Sequence, residues 1–408
     1  MPEIDVSLAS MLKNRHYGTI LSKVPIRVSV TGTRGKSSQV HIIAKLLARR
    51  DLWTLAKITG DIPFFFDNDT IYKIVRKDGR PVLMDETAFL TDICNGNPGC
   101  YPNAVILENQ AIKPYTMFTF HKLYCKPKYI IVTNIRRDHG DFLGETKDEV
   151  AHAIGEGFAD ATTVISGETD KVANEILKFH AEKIGAEFVI ATVPSEMTNI
   201  PGVESIYTAK ALLECLDNDF SSFGDLKITD DEVDNLVTVL ENTFCLQLSP
   251  SGVEWFDGAK LNDIDSSKIV FDYLQLKYPE KRFTLLANFR RDRASRTISF
   301  LTFFNSMVDY GRIDRVYLSG PGSEYIYKRI DHSYRSRFKL VEDNIPSATK
   351  FIKEQDKNSA LMTIANAVSP FMRKIREIQS RETQSHVIYA LPHTVKSLDV
   401  KQKTCEGV

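Results

Sequence analysis

The stretch VSVTGTRGKSSQVHIIAKLL, residues 28–47, decides the fold because it joins a strand, a glycine-containing turn and a helix. Gly32 and Gly35 allow the backbone to turn tightly, so that successive N–H groups face one anion at the start of the helix, where the helix dipole adds positive charge. Lys36 can then reach the β- and γ-phosphates, and the Ser37 hydroxyl can ligate Mg²⁺. The pattern predicts a loop that binds the phosphates of a nucleotide.

The spacing of this loop differs from the general phosphate-loop pattern. G-x-x-x-x-G-K-[ST] requires glycine at position 30, where Val30 stands, so the loop has the tighter form T-G-T-x-G-K-S. A glycine turn that caps an ordinary helix, with Lys36 in solvent, is the alternative interpretation. The strand before the loop, the amphipathic helix after it and the adjacent Lys and Ser favour nucleotide binding.

Apolar, β-branched segments alternate with helical patterns along the chain, which indicates a parallel sheet covered on both faces. A segment containing Pro and Gly at 248–256 resembles a hinge, after which the alternation resumes. We therefore expect an α/β protein with a helical lead-in at 1–24, a P-loop-containing parallel-sheet domain at 25–250 and a smaller Rossmann-like domain at 251–408. The clearest predicted strands are IRVSV (26–30), AVILE (104–108), YIIVTN (129–134), TVIS (163–166), RFTLLAN (282–288), RVYLSG (315–320) and HVIYAL (386–391).

Composition excludes several functional classes. The 408 residues carry 52 Lys and Arg against 53 Asp and Glu, a formal net charge of −1, so no global basic field exists to hold a nucleic acid. No apolar run approaches the roughly 20 residues of a membrane-spanning helix, and the N-terminus lacks the apolar centre of a secretory signal. The six cysteines form no C-x-x-C pair of the kind that binds zinc. We expect a cytoplasmic protein.

Two other predicted strands end in residues that can bind a metal ion. Glu108 ends AVILE, and YIIVTN runs into a loop that contains Asn134, Asp138, His139 and Asp141. Because open α/β sheets bind ligands at the carboxyl ends of their strands, these side chains could converge on the phosphate loop and hold a second Mg²⁺. Magnesium prefers oxygen ligands, however, and an Asp-His pair in a loop is more often a hydrogen-bonded turn. Both interpretations stay open on these residues alone.

The tight loop and the N-x-x-x-D-H-x-D segment together resemble the Mur ligase family of ATP-dependent amide ligases. The matches are the loop Thr31–Ser37, Glu108 and the segment Asn134–His139. The resemblance is closer to the ligase subunit of poly-γ-glutamate synthases, and it runs in order from Pro25 to Leu391. The segments that carry this closer resemblance are Arg34–Ser37, Asn134–Gly144, Asn262–Ser267, Asn288–Thr297 and Val387–Tyr389.

The resemblance implies a first domain like the Mur ligase central ATPase domain, a C-terminal domain like the Mur ligase Rossmann-like domain, and ATP with two Mg²⁺ ions as cofactors. The implied catalytic residues are Lys36, Arg293 and Arg296. The implied metal ligands are Ser37, Glu108 and His139. The implied nucleotide-binding residues are Thr31, Gly32, Thr33, Arg34, Gly35, Lys36, Ser37, Ser38, Asn134, Asn262, Asp263 and Arg290.

The segment FRRDRASRT, residues 289–297, contains Arg290, Arg293 and Arg296, which recur every three positions. A planar guanidinium group suits the bidentate recognition of phosphate or carboxylate, which agrees with the implied role. A solvated basic start of a helix is the alternative interpretation of the same pattern.

The implied reaction uses ATP to activate a carboxylate as an acyl phosphate, which an amine then attacks to form an amide. The first hypothesis is a ligase that extends poly-γ-glutamate with glutamate. The second hypothesis is a ligase that joins another small carboxylate to an amino acid once. A regulatory nucleotide switch is the third, although base-reading motifs such as N-K-x-D are missing from the sequence.

The chain also departs from the families it resembles. Only 24 residues precede Pro25, so we expect no domain for a UDP-linked substrate. The segment 63–86 matches poorly, and no carbamylated lysine can be placed. The resemblance implies a small membrane subunit as partner, with this chain peripheral at the inner face of the membrane. The aromatic segment IPFFFD, residues 62–67, is a candidate contact for that partner, and a buried loop is the alternative.

Overall fold

The computed structural model describes residues 3–6, 17–59, 63–68, 70–76, 85–96, 99–290, 294–307 and 313–380. The strands in these ranges are β1 (Glu3–Val6), β2 (Ile26–Thr31), β3 (Thr54–Ile58), β4 (Phe64–Asp67), β5 (Thr70–Arg76), β6 (Ala104–Glu108), β7 (Tyr129–Val132), β8 (Thr163–Ser166), β9 (Glu187–Ile190), β10 (Gln247–Leu248), β11 (Glu254–Phe256), β12 (Arg282–Asn288), β13 (Ile313–Ser319), β14 (Phe338–Val341) and β15 (Ser359–Ile364).

The α-helices in the same ranges are α1 (Tyr17–Lys23), α2 (Lys36–Ala48), α3 (Asp85–Gly96), α4 (Pro114–Thr119), α5 (Gly140–Leu143), α6 (Lys147–Gly155), α7 (Lys171–Lys183), α8 (Glu204–Asp219), α9 (Asp230–Thr243), α10 (Ile264–Lys277), α11 (Ala294–Met307), α12 (Ser323–Arg329), α13 (Ile345–Lys353) and α14 (Pro370–Gln379). A π-helix, Phe120–Cys125, continues α4. No helix along the described part of the chain is long and apolar enough to cross a bilayer.

The first sheet has nine strands in the order β1-β5-β4-β3-β6-β2-β7-β8-β9. From β3 through β6 to β9 every pairing is parallel, as the continuous apolar strands predict. One apolar core lies between the sheet and α2, α8 and α9. The other face packs against α1, α3, α6 and α7. The sheet is therefore covered on both faces, and its central strands are buried.

The second sheet has six strands in the order β10-β11-β15-β12-β13-β14. Its pairings are parallel except for the antiparallel β10–β11 pair. Helices α10 and α11 cover one face, and α13 and α14 cover the other. The α/β prediction with a smaller second α/β unit is confirmed. The division at residue 250 lies between β10 and β11, both of which belong to this sheet, and the strand predicted at 386–391 lies outside the described residues.

Two segments differ from their predicted structure. The lead-in at 1–24 is only partly helical, because β1 comes before α1 and pairs parallel with β5. In the segment 62–67, β4 forms and pairs antiparallel with both β3 and β5. Its three phenylalanines are buried, none of them more than 8% exposed, so they fill the core and offer no contact to a partner.

The positions of β6, β2 and β7 as neighbours in the sheet create the functional edge of the molecule. The phosphate loop follows β2, Glu108 ends β6, and the loop with Asn134 follows β7. In parallel strands the carboxyl ends meet at the same edge, where open α/β sheets bind their ligands. The three predicted segments are therefore adjacent.

A buried polar cluster lies within the first domain around His121 of the π-helix. The imidazole Nδ1–H donates to the carbonyl of Gly157 over 2.6 Å, a role assigned because a carbonyl can only accept. The Ser29 hydroxyl then donates to Nε2 over 2.8 Å, and the amide nitrogen of Asn109 lies 3.3 Å from the same atom. Burial lowers the pKa of His121 to about 4, so the ring is neutral at neutral pH.

We expect His121 to make folding stability depend on pH between about 6.5 and 4. The unfolded chain protonates this histidine near pH 6.5, whereas the folded protein does so only near pH 4. The unfolded state thus binds more protons in this window, and stability falls as the pH falls. From pH 7 to pH 5 this residue should cost about 2 kcal/mol of unfolding free energy, which His121→Gln should remove.

Urea unfolding of both proteins at pH 7 and pH 5 measures the difference. The exposed His332, replaced by Gln, is the control. If wild type and His121→Gln lose equal stability on acidification, the buried neutral histidine is not the cause.

Candidate active site

The phosphate loop is braced by Asn134, which follows β7. The Arg34 N–H donates to Asn134 Oδ1 over 3.1 Å, and Asn134 Nδ2 donates back to the Arg34 carbonyl over 3.2 Å. The Thr33 N–H donates to the carbonyl of Asn134 over 3.0 Å. Asn134 thus lies at the loop, as predicted, and its contacts fix the backbone of the loop from the side.

Both loop glycines have positive φ, 112° at Gly32 and 78° at Gly35, where glycine is favoured. A Cβ atom at Gly32 would lie 2.3 Å from Thr133 Oγ1 and 2.8 Å from Thr133 N, so no side chain fits. At Gly35 the nearest atom would be Ser205 Oγ at 3.8 Å. Space therefore requires glycine at position 32, and backbone conformation favours it at position 35.

The start of α2 offers positive groups to an anion. Gly35 is its N-cap residue, and among the described residues no side chain caps its first turn, so backbone N–H groups there can bind a ligand. Lys36 Nζ donates to the carbonyl of Gly32 over 2.8 Å and to that of Thr33 over 3.3 Å. Burial lowers the pKa of Lys36, and Glu108 opposes that shift. Thr31 is buried at the end of β2, and Ser38 lies in the first turn of α2.

Oxygen ligands for a divalent cation meet beside the loop. The Ser37 hydroxyl donates to Glu108 Oε2 over 2.9 Å, and the Thr59 N–H donates to the same oxygen over 2.7 Å. Glu108 is only 5% exposed. A hydroxyl and a carboxylate are ligands that Mg²⁺ prefers, and phosphate oxygens and water usually complete its shell. The residues present therefore fit a Mg²⁺ ion bound together with a nucleotide.

His139 follows Asp138 in the segment after β7. Its Nε2 is 3.5 Å from Asp138 Oδ2, and its φ of 57° is rare for a residue other than glycine. The carboxylates of Asp138 and Glu108 both raise the pKa of Lys36, so both act on the same group. Within the described residues, no group of three or more His, Cys, Asp and Glu side chains is arranged to hold a metal ion. A metal at His139 stays a prediction.

The C-terminal domain approaches the loop through the start of α10. Asp263 is the N-cap of α10, and its Oδ2 accepts a hydrogen bond from Arg34 Nε over 2.8 Å. Asn262, the preceding residue, has a buried Oδ1 with no hydrogen-bond partner among the described residues. Such an acceptor is expected to meet a donor in the working protein. Of the two predicted residues of the second domain, Asp263 thus contacts the phosphate loop, and Asn262 precedes it in the chain.

The arginine segment 289–297 is only partly described. Arg290 follows β12, Arg293 lies outside the described residues, and for Arg296 only the backbone, in α11, is described. Asn288 at the end of β12 is fully buried, and its amide nitrogen donates to Asp343 over 3.0 Å. The roles predicted for these three arginines stay predictions.

Sequence reasoning missed Arg136 and Arg137 as contacts of the second domain. Arg136 Nη1 donates to Ser266 Oγ over 2.6 Å, and Arg137 Nη2 donates to Asp265 Oδ1 over 2.6 Å. The signal was present, since the two arginines stand between Asn134 and His139, inside a segment already singled out. Their partners lie about 130 residues further along the chain, at separations of 130 and 128, which no local pattern reveals.

We expect Gly32→Ala to destabilise the protein more than Gly35→Ala. The first change forces a methyl group against the backbone nitrogen of Thr133 and should cost about 3 kcal/mol or more. The second adds a methyl group at ordinary van der Waals distance from Ser205 Oγ, at positive φ, and should cost about 1 kcal/mol. Urea unfolding at pH 7 measures both, and equal costs would show that the contact with Thr133 does not constrain the loop.

Comparison with known proteins agrees with this geometry. Residues 246–381 match the family model of the poly-γ-glutamate synthase CapB C-terminal domain. PGA synthase CapB of Bacillus subtilis (strain 168) is 23% identical over 403 residues, which cover 93% of this chain and 98% of that protein. This match spans both domains.

Solved structures share the fold. E. coli FolC in complex with ADP aligns with a TM-score of 0.57 and 14% identity, covering 92% of this chain and 93% of its own. A bifunctional folylpolyglutamate synthase/dihydrofolate synthase with Mn, AMPPNP and L-glutamate bound has a TM-score of 0.57 and 13% identity, covering 92% of this chain and 94% of its own. The chain therefore has the Mur ligase fold, and over nearly its whole length it is similar to the poly-γ-glutamate synthase ligases, whose C-terminal domain matches residues 246–381.

Proposed function

We propose that the chain is an ATP-dependent carboxylate–amine ligase that releases ADP and phosphate. The observation that carries the proposal is the meeting of Lys36, the Ser37–Glu108 oxygen pair and the start of α10 at one edge of the first sheet. The similarity to PGA synthase CapB and to folylpolyglutamate synthase supports the same class of reaction. A nucleotide switch would give the contact between Asp263 and the phosphate loop no purpose.

The residues of the chain supply position and charge. Backbone N–H groups at the start of α2, with Lys36, hold the triphosphate so that a carboxylate oxygen attacks the γ-phosphorus in line and ADP leaves. The amine nitrogen then attacks the acyl carbon, loses a proton, and phosphate leaves as the amide forms. Because water would hydrolyse the acyl phosphate, the second domain must cover the site during the reaction.

Mg²⁺, when bound, would neutralise charge on the transferred phosphoryl group. Ser37 would bind the first ion, and Glu108 with His139 the second. The 2.9 Å separation of Ser37 Oγ and Glu108 Oε2 supports adjacent ion sites. Arg290, Arg293 and Arg296 would offer guanidinium groups to phosphate or carboxylate, as their spacing suggests.

Glutamate is the proposed amino-acid substrate, and a growing poly-γ-glutamate chain is the proposed acceptor. The similarity to PGA synthase CapB over 98% of its length supports this choice. A single amide bond between another small carboxylate and an amino acid is the second candidate, favoured by the divergence of the region 63–103. We also propose a small membrane subunit as partner, with the chain peripheral at the cytoplasmic face of the membrane, on the same similarity.

The test incubates the purified chain with Mg-ATP and a panel of carboxylate–amine pairs. Release of ADP that depends on glutamate, together with a product ladder spaced by one glutamyl residue, is the expected result. A single product with another carboxylate would select the second candidate. ATP hydrolysis that no carboxylate–amine pair stimulates would contradict a ligase.

We expect Lys36→Ala to reduce ligation by at least about a thousandfold, because the group that contacts the phosphates is lost. The matched control is Lys171→Ala. Lys171 also begins a helix that follows a strand of the same sheet, but its side chain is exposed to solvent. Coupled ADP release measures the rate, and circular dichroism checks that both variants fold. Product formation by Lys36→Ala at the control's rate would remove the loop from the mechanism.

We expect Glu108→Gln to raise the Mg²⁺ concentration needed for half-maximal ligation by about 10- to 100-fold, because an amide is a weaker ligand than a carboxylate. Glu175→Gln on the exposed face of α7 is the control. Titrations with MgCl₂ at fixed ATP give the midpoints. An unchanged midpoint would place the metal elsewhere.

A further inference from the structure

Arg34 joins the two domains through one guanidinium group, although it belongs to the phosphate loop. Its Nε donates to Asp263 Oδ2 over 2.8 Å, and its Nη2 lies 2.6 Å from Asp138 Oδ2. The side chains of Asp138 and Asp263 are 6% and 1% exposed. If Arg34 turned towards a phosphate, two buried carboxylates would lose this cation, which is unfavourable. The ion pairs therefore keep the side chain of Arg34 on the domain contact.

Asp263 uses both carboxylate oxygens within the protein. Oδ1 accepts the backbone N–H of Ser266 over 2.7 Å and so caps α10, while Oδ2 accepts from Arg34. Its neighbour Asn262 differs, because its buried Oδ1 has no partner among the described residues. The two adjacent residues thus differ in role: Asp263 holds the helix to the loop, whereas Asn262 keeps an acceptor that no described residue uses.

A second set of contacts runs in parallel with the first. The backbone N–H of Arg136 donates to Thr33 Oγ1 in the phosphate loop over 3.0 Å, while its guanidinium reaches Ser266 of α10 and also Glu204. The backbone N–H of Arg137 donates to Asp265 Oδ2 over 3.0 Å. The segment after β7 therefore touches the loop at one end and the first turn of α10 at the other.

We propose that Arg34, Arg136 and Arg137 are positioning residues that couple the conformation of the phosphate loop to the docking of the C-terminal domain. In this proposal Asp263 is the acceptor of Arg34 and not a nucleotide ligand. This inference rests on the proposed ligase activity. A loop in its binding conformation presents Arg34 to Asp263, so the second domain closes over the site when the loop is correctly formed.

The first test is Asp263→Asn, compared with Asp272→Asn as a matched control. Asn still caps a helix with its one side-chain oxygen, so α10 is kept. The uncharged amide cannot form the ion pair with Arg34. Asp272 lies on the same helix and, among the residues that the structure describes, pairs with Lys268 one turn away. ATP affinity is measured by calorimetry, ligation by coupled ADP release, and domain contact by hydrogen exchange of the segments 31–38 and 262–267.

For Asp263→Asn we expect an ATP dissociation constant within about threefold of wild type, a kcat at least about tenfold lower and faster exchange in both segments. The control should match wild type in all three. A tenfold weaker ATP affinity with unchanged exchange would make Asp263 a nucleotide ligand and overturn the proposal. Unchanged values throughout would overturn it as well. Hydrogen exchange and ATP binding need no ligation, so they test the coupling even if the proposed activity fails.

A charge exchange keeps the inference testable if Asp263→Asn does not fold. Arg137→Asp and Asp265→Arg should each lower kcat and speed exchange at 262–267, and the double variant should recover at least part of both losses. Additive losses in the double variant would show that the two residues do not act as a pair, and would contradict the proposed coupling.

Discussion

The close approach of the phosphate loop to the segment after β7 is the constraint on which the rest of the site depends. Gly32 lies so near Thr133 that no side chain fits, and Asn134 holds the next two residues of the loop by hydrogen bonds. Because these contacts fix the backbone before the first turn of α2, they set the direction of its N–H groups and of Lys36. Parallel pairing of β2 with β7 makes the approach possible.

The sequence predicts the phosphate loop well because the residues that determine it are close together in the chain. Within 20 residues the sequence contains a strand, two glycines, a Lys-Ser pair and the start of a helix. The loop, Glu108 and Asn134 lie at the ends of their strands, as the pattern predicts. Neighbouring strands and their common edge follow from the α/β alternation. The sequence also locates Asn262 and Asp263, but only through resemblance, because nothing local tells which side of a second domain faces the first.

What the sequence could not predict depends on long-range pairing. The strand β1 pairs with β5 across 70 residues, and Phe64–Asp67 forms the strand β4 because β3 and β5 flank it. The arginines after β7 look like a basic loop until their carboxylate partners in α10 are known. His121 is similar: its neutral state follows from burial against Ser29 and Gly157, which lie 92 and 36 residues away.

The charges around the loop explain why a metal ion is needed. Lys36 and Arg34 are the cations nearest the loop, and the carboxylates of Glu108, Asp138 and Asp263 lie among them. Arg34 is already paired with two of these carboxylates, so within the phosphate loop Lys36 and the helix N-terminus are the positive groups left to attract an anion. A triphosphate carries about four negative charges and would meet Glu108 without compensation unless divalent cations came with it. Glu108, the carboxylate not paired with Arg34, would bind such a cation, so we expect the site to distinguish Mg-ATP from ATP. The ion pairs of Arg34 then remain available to hold the domains together.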